Sequence, residues 1–411
     1  MRKKVIVIGG GPAGMFAAGT AAKNGCDTLL IEKNSILGRK LLITGKGRCN
    51  LTNFCDVENV LKNINSSNPK FLYKALNSFS CYDTYSFFEE LGVSLKIERG
   101  NRVFPQSDKA AEIRNALKRY ILNAGVEIIS ENVKRISANP FTVVTDKSEY
   151  FADSVVIATG GVSYPLTGST GDGYKFASDF GHSVSKPEPA LVSLVGSEKL
   201  CSSLAGLSLK NILIKVSDAS DKIVYSDFGE MLFTHTGVSG PVILSASSHL
   251  DFSKNKYKLS IDLKPALSFE ELDKRVLNDF SKYSNKDFVN SLADLLPRKI
   301  IDSVINFSGI DPRQKVNSIT KKQRLNLVST IKNFEIDLDS KSGFDEAIIT
   351  SGGVDTAEIN PQTMESLKVK GLYFAGEVID IDANTGGYNL QIAYSTGYLA
   401  GLSCAGGKNG L

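Results

Sequence analysis

The sequence predicts an α/β protein whose parallel-sheet domain is split between the two ends of the chain. Three observations carry this expectation. A strand–glycine–helix unit opens the chain, a second one lies close to its end, and between them strand alternation gives way to helical spacing. At about 150 residues per domain as a soft prior, a chain of 411 residues holds two or three domains.

The first unit begins with Lys3–Ile8, a short apolar run suited to a strand buried on both faces. It runs into Gly9-Gly10-Gly11-Pro12-Ala13-Gly14 and a small-residue helix expected from Pro12 to Asn24. In G-x-G-x-x-G the first glycine, Gly9, makes the tight turn and Gly11 lets backbone approach a pyrophosphate. Gly14, with Ala17, Ala18, Ala21 and Ala22, lets the helix lie close to the sheet. Pro12 and Ala13 open that helix, whose free N–H groups suit phosphates. A second strand, Thr28–Ile31, ends at Glu32, 18 residues beyond Gly14, where a carboxylate accepts hydrogen bonds from an adenosine ribose. Lys33 follows, but Glu32 argues against a 2′-phosphate. The unit reads as an adenine-dinucleotide site, without deciding between FAD and NAD.

Three later segments favour FAD. Residues 38–53, GRKLLITGKGRCNLTN, crowd Arg39, Lys40, Arg48 and Asn50 into a loop whose donors suit an anion. A helix over Lys109–Asn123, a strand over Gly125–Ile129 and a hairpin of Phe141–Thr145 with Tyr150–Ala152 precede a buried strand, Val155–Ile157, that delivers Thr159 and Gly160. Near the end, a strand from Gly371 delivers Gly376 and Glu377. Gly386 and Gly387 then start a helix through Tyr388, Asn389 and Leu390 to about Ala400. A helix N-terminus there would stabilise negative charge on a reduced flavin.

These segments, with ATGGVSYPLTGSTGDGY, GEMLFTHTGVSGP and GLYFAGEVIDIDANTGGYNLQIAYSTG in that order, resemble the BaiN and aminoacetone-oxidase-like flavoprotein family over essentially the whole chain. That resemblance implies a glutathione-reductase-type Rossmann fold, bacterial or archaeal origin and non-covalent FAD, with the adenine held by backbone near Val133. It covers NAD(P)/FAD-dependent oxidoreductases, aminoacetone oxidases and bile-acid enone reductases, so it implies cofactor and fold more sharply than substrate. Lys46 and Ala383 stand where glycine is expected.

The middle of the chain reads as an insertion. Pro187 and Pro189 mark a boundary after a helix over Tyr174–Phe180. Strands are expected at Leu209–Val216, Ile223–Tyr225 and Met231–Phe233, the last two separated by an Asp227-Phe228-Gly229 turn, and at Tyr257–Leu263. Ser268 with Glu271 and Thr320 with Gln323 fit capping boxes, and Phe288, Leu292, Leu295 and Leu296 fall at helical spacing. Phe334, Ile336 and Leu338 return to strand alternation. The expected division is an FAD domain of residues 1–189 and 346–411, a β-rich insert of 190–264 and 333–345, and a helical subdomain of 265–332. The insert would roof the flavin and form a substrate cavity, with residues 233–241 as candidate lining.

The chemistry is expected to rest on the cofactor. Three histidines lie far apart and six cysteines include no C-x-x-C, which argues against a metal site or a reductase dithiol and for free buried thiols. His235 is a candidate acid or base, although a histidine in a turn is more often structural. Tyr164, Lys40 and Arg48 are weaker candidates, and no catalytic residue is assigned. The expected activity is hydride transfer between flavin and a small organic substrate. With NADH or NADPH as donor this becomes reduction of an activated C=C bond; with oxygen as acceptor, amine or aminoketone oxidation. A flavin-dependent RNA-modifying enzyme and a non-catalytic redox sensor are the alternatives. A net charge of +4 without a basic stripe argues against nucleic acid. The absence of a long apolar run or leader pattern points to a cytoplasmic protein without a membrane partner.

Overall fold

The computed structural model describes residues 2–66 and 68–406. They divide into two compact units, one made of the chain up to residue 190 together with residues from 344 onward, the other of residues 191–343.

The first unit is built on a five-stranded parallel sheet. Its strands are Lys4–Ile8, Asp27–Glu32, Glu127–Ser130, Ser154–Ile157 and Leu372–Phe374, in the spatial order 372–374, 154–157, 4–8, 27–32, 127–130. Every neighbouring pair is parallel. Val5 to Ile8 are all buried, as a central parallel strand requires. The strand from the last seventy residues thus sits in the same sheet as the first strand, so the fold is the α/β Rossmann-like architecture with a split sheet.

Two helices, Pro12–Lys23 and Tyr388–Cys404, pack together through small residues. A Cβ at Gly397 would stand 2.3 Å from the Ala13 carbonyl oxygen, and one at Gly401 would stand 2.4 Å from that of Ala17. Such spacing leaves no room for a side chain, which is why both helices are rich in alanine and glycine. Between the second strand and the helix Ala110–Asn123 lie the helices Val57–Lys62, Tyr73–Ser78 and Cys81–Glu90 and a three-stranded sheet.

The second unit carries a seven-stranded sheet and the helices Phe269–Lys282, Arg298–Ser308 and Lys321–Lys332, with one continuous apolar core. Both capping boxes form, at Ser268 with Glu271 and at Thr320 with Gln323. Two local expectations fail here. The Asp227-Phe228-Gly229 turn is absent: Ile223–Phe233 is one strand, in which those residues pair with Ile214, Leu213 and Ile212 of the strand Ser208–Asp218. Of the two irregularities in this pair, the one next to these residues falls on the partner strand between Leu209 and Ile212 and the other lies near Ile223, so ladder hydrogen bonds override the local turn preference at 227–229. Phe288, Leu292, Leu295 and Leu296 are buried core residues, but they lie on a short 3-10 turn, Phe288–Ser291, and the loop after it. Burial alone accounts for their spacing.

Candidate functional site

In the first unit, four of the sequence motifs leave the sheet at one edge. Gly9 follows the strand ending at Ile8, Glu32 ends the next, Thr159 and Gly160 follow Ile157, and Gly376 and Glu377 follow Phe374. All are carboxyl ends of parallel strands, where open α/β sheets place their ligands. The contacts are close. Gly9 has φ +103°, and a Cβ there would meet the Ala158 carbonyl oxygen at 2.5 Å; one at Gly14 would meet the Gly9 carbonyl oxygen at 1.8 Å. Gly376 packs on Ala13, with a Cβ placed 2.7 Å from the alanine methyl. Gly11 differs: a Cβ there would have nothing within 4 Å. It precedes Pro12, the first residue of the helix, and no side chain caps that helix.

Glu32 is already engaged by the chain. One carboxylate oxygen accepts the Gly10 N–H at 2.7 Å, the other the backbone N–H of Asn34 at 2.8 Å and its amide at 2.7 Å. The acid therefore fastens the glycine turn to the second strand. Lys33 reaches Asp172 at 2.6 Å and Thr170 at 2.5 Å, while Arg39 makes one long hydrogen bond to Asn34.

Lys40 and Glu377, 337 residues apart, form an ion pair at 2.9 Å with side chains 20% and 19% exposed. The Ser163 hydroxyl and the Thr350 N–H also donate to Glu377, each at 2.9 Å, and Lys40 donates to Ser163 at 2.5 Å. Thr350 in turn accepts the N–H groups of Val162 and Ser163. Four segments are thereby tied at one point of the carboxyl edge.

Arg48 does not join this group. It pairs with Glu98 and with Asp108 (2.7 Å), and its guanidinium lies 4.1 Å from the Phe104 ring centre. Those two carboxylates hold its pKa above the usual value and satisfy its charge. Asn50 and Thr159 each carry a buried side-chain oxygen, Oδ1 and Oγ1, with no hydrogen-bond partner among the described residues. Val133 pairs with Thr145 in a three-stranded antiparallel sheet.

Gly386 and Gly387, at φ +132° and +99°, lead into the helix beginning at Tyr388. Gly387 lies against Thr52, where a Cβ would come within 2.4 Å of the Thr52 carbonyl. Asn53 reinforces the approach by donating to the Gly386 carbonyl at 3.1 Å. Asn389 closes the preceding loop on itself, accepting the Ala383 N–H at 2.9 Å and donating to the Ala383 carbonyl at 2.7 Å. Leu390 packs on the core, and burial pushes the Tyr388 phenol up to about 12.

The remaining candidates are dispersed. Tyr164 is half-buried at φ +51°, before a 3-10 turn, and burial raises its phenol. His235 is exposed and belongs to the second unit. Lys46 is exposed at φ +58° between Gly45 and Gly47, also at positive φ, which explains why glycine is the residue expected there. Ser163, Thr350 and Asn34 escaped the sequence reading; each is an ordinary polar residue that carries no local signal until the fold supplies its partner.

A family model described as the HI0933-like protein Rossmann domain matches residues 3–403. The chain belongs to that family. It is 31% identical to a 3-dehydro-bile acid delta(4,6)-reductase of Clostridium scindens, covering 98% of this chain and 99% of that protein. It is 33% identical to a ribosomal RNA dihydrouridine synthase of Haemophilus influenzae, covering 97% of each. Among solved structures, the 3-ketosteroid-delta4-(5alpha)-dehydrogenase of Rhodococcus jostii shares the fold, with a TM-score of 0.50 at 16% identity over 98% of this chain and 97% of that one. The chain is an enzyme, an oxidoreductase of this family. Among the described residues, no helix is long and apolar enough to cross a membrane.

Proposed function

We propose that this protein is an FAD-dependent reductase of carbon–carbon double bonds conjugated to a carbonyl, with NADH or NADPH as electron donor. The observation that carries the reading is the convergence of the motifs at 9–14, 32, 159–160 and 376–377 on one carboxyl edge of a single parallel sheet. The residues present suit FAD: Gly11 leaves open space before an uncapped helix start, and the partnerless oxygens of Asn50 and Thr159 are polar groups awaiting a donor. When bound, FAD supplies the hydride and its two electrons. The chain's own part is to seat the diphosphate at the N–H groups of Ala13 and Gly14 behind Pro12, which has none, to hold the ribose side at Glu32, and to present the start of the last helix at Gly387. The hydrogen-bonded Lys40–Ser163–Glu377 group holds the exchangeable protons of that edge.

The choice of reaction rests on what the full-length relatives share. A 3-keto-4,6-diene and the C5=C6 bond of uridine, conjugated to C4=O, are both electrophilic at carbon and accept hydride. Uridine in ribosomal RNA is therefore the second reading, favoured by the relative that is 33% identical over 97% of the chain. The test is anaerobic mixing of the flavin-loaded protein with NADH or NADPH, followed by a steroid dienone or by ribosomal RNA lacking dihydrouridine. Bleaching by a nicotinamide and reoxidation by the dienone is the expected result. Reoxidation by RNA alone moves the substrate to uridine, and reduction only by an amine makes the protein an oxidase. A protein that binds no flavin overturns the proposal.

A further inference from the structure

Gln391 lies one turn into the last helix, Tyr388–Cys404, and is fully buried, yet every hydrogen-bonding position of its amide is taken. Its Nε2 donates to the Phe79 carbonyl at 3.0 Å and to the Ser395 hydroxyl at 2.9 Å. Its Oε1 accepts the Thr52 hydroxyl at 2.6 Å and the Thr84 hydroxyl at 2.8 Å. A carbonyl can only accept, so Phe79 fixes the amide nitrogen on its side and leaves the oxygen for the two threonines. Ser395 completes the set by donating to Phe79 at 2.7 Å. Thr52, Thr84 and Ser395 are as fully buried as Gln391, so a bond lost here leaves a polar group without water to replace its partner.

These bonds form a closed circuit with the helix start. The backbone N–H of Gln391 donates to the Gly387 carbonyl at 3.1 Å, the first hydrogen bond of the helix. Gly387 is wedged against the Thr52 backbone, and the Thr52 hydroxyl returns to Gln391. No side chain caps this helix, so none takes the N–H groups of its first turn. Asn50, with its partnerless Oδ1, stands two residues before Thr52 in the same segment. We propose that the Thr52–Gln391 hydrogen bond positions this helix start against the flavin and thereby sets the reduction potential of bound FAD. The inference rests on the FAD reading above. The partial positive charge at a helix start favours negative charge, and reduction adds negative charge to the flavin ring. The effect fades within the first turn, so a hydroxyl that holds that turn in place controls how much of it the ring receives. Thr84 provides the contrast. It bonds the same amide oxygen from the helix Cys81–Glu90, whereas the three atoms nearest a Cβ at Gly387 all belong to Thr52. Thr52 is therefore a positioning residue, and Thr84 holds the core.

The test compares two variants that remove the hydroxyl, Thr52→Val and Thr52→Ala, with Thr52→Ser, which keeps it, and with Thr84→Val. The midpoint potential of the FAD-loaded proteins is read by spectral titration against reference dyes, and stability by thermal melting. Thr52→Val and Thr52→Ala are expected to bind reduced FAD about tenfold less tightly relative to oxidised FAD, a potential about 30 mV more negative for a two-electron couple. Thr52→Ser is expected to keep the wild-type potential. Thr84→Val is expected to lower the melting temperature as Thr52→Val does, without moving the potential. In the apoproteins, amide hydrogen exchange over residues 386–391 is expected to be faster in Thr52→Val than in Thr84→Val. A wild-type potential in both hydroxyl-deleted variants, equal shifts in Thr52→Val and Thr84→Val, or a Thr52→Ser potential that moves with Thr52→Val overturns the proposal. A wild-type protein that binds no flavin overturns the functional reading instead, and equal exchange in the two valine variants then sinks the tie itself.

Discussion

Glu32 does two things with one carboxylate. The sequence assigns it to a ribose, and the structure adds three hydrogen bonds to Gly10 and Asn34 that pin the phosphate turn. Glu32→Ala is accordingly expected to lower both FAD affinity and apoprotein stability, each by about 1–3 kcal/mol, the scale of hydrogen bonds to a charged group. Calorimetric titration and thermal melting of the apoprotein check this; a loss of affinity with an unchanged melt would refute the pinning role. Gly11 and Gly14 differ in the same way. Gly11→Val enters open space at a β-region backbone, so the apoprotein is expected to fold and melt like wild type while retaining no FAD. Gly14→Ala puts a methyl 1.8 Å from a carbonyl oxygen and is expected to yield little soluble protein at all. Soluble yield, circular dichroism and flavin absorbance of the two variants separate these outcomes.

At the scale of elements, local signals held where the chain bonds to itself over a few residues. Ser268 and Thr320 each accept an N–H three residues on, and the paired Glu271 and Gln323 return the bond. Thr320→Ala is expected to destabilise the second unit by about 1 kcal/mol, the usual cost of a lost N-cap, read as a shift of the denaturant midpoint at constant slope. Strand continuity through Asp227-Phe228-Gly229 shows the converse. Turn-forming residues give no turn when a neighbouring strand offers each backbone group a partner. The glycine-rich segment 38–53 was legible as a loop rich in donors. Its 3-10 geometry, with a kink at Thr44-Gly45-Lys46, was not, because no periodicity announces it.

Across the whole first unit, polar side chains far apart in sequence act as fasteners. His182 has no side-chain exposure; Nδ1 lies 3.0 Å from Glu358 and Nε2 2.7 Å from Ser366. Burial holds its pKa below the ordinary value, outweighing the attraction of Glu358. Burial raises Glu358 too, but hydrogen bonds from Lys368 and Ser183 outweigh it and hold that carboxyl at about 2, so Glu358 stays ionised without a charged histidine. The sign follows: below the unfolded-state value of about 6.5, the unfolded chain takes up a proton that native His182 resists. Stability contributed at neutral pH is therefore lost as pH falls from about 6.5 toward the depressed native value. Melting temperatures of wild type and His182→Gln between about pH 7.5 and 5 test this; the wild type is expected to lose more on acidification, and parallel pH profiles would refute it.

The sequence by itself determined the features that act through neighbours a few residues away. These are the glycine turn at 9–14, the alternation of buried strands, the helix caps and the two glycines before the last helix, where backbone sterics and short-range hydrogen bonds are enough. Only the tertiary structure decided which polar groups meet. Lys40 found Glu377, Arg48 was claimed by Glu98 and Asp108, and Glu32 was shared with the turn it was expected to serve. The reason is physical: burying a polar group is costly unless it gains a partner, and which partner is within reach is set by how the apolar core packs, not by distance along the chain.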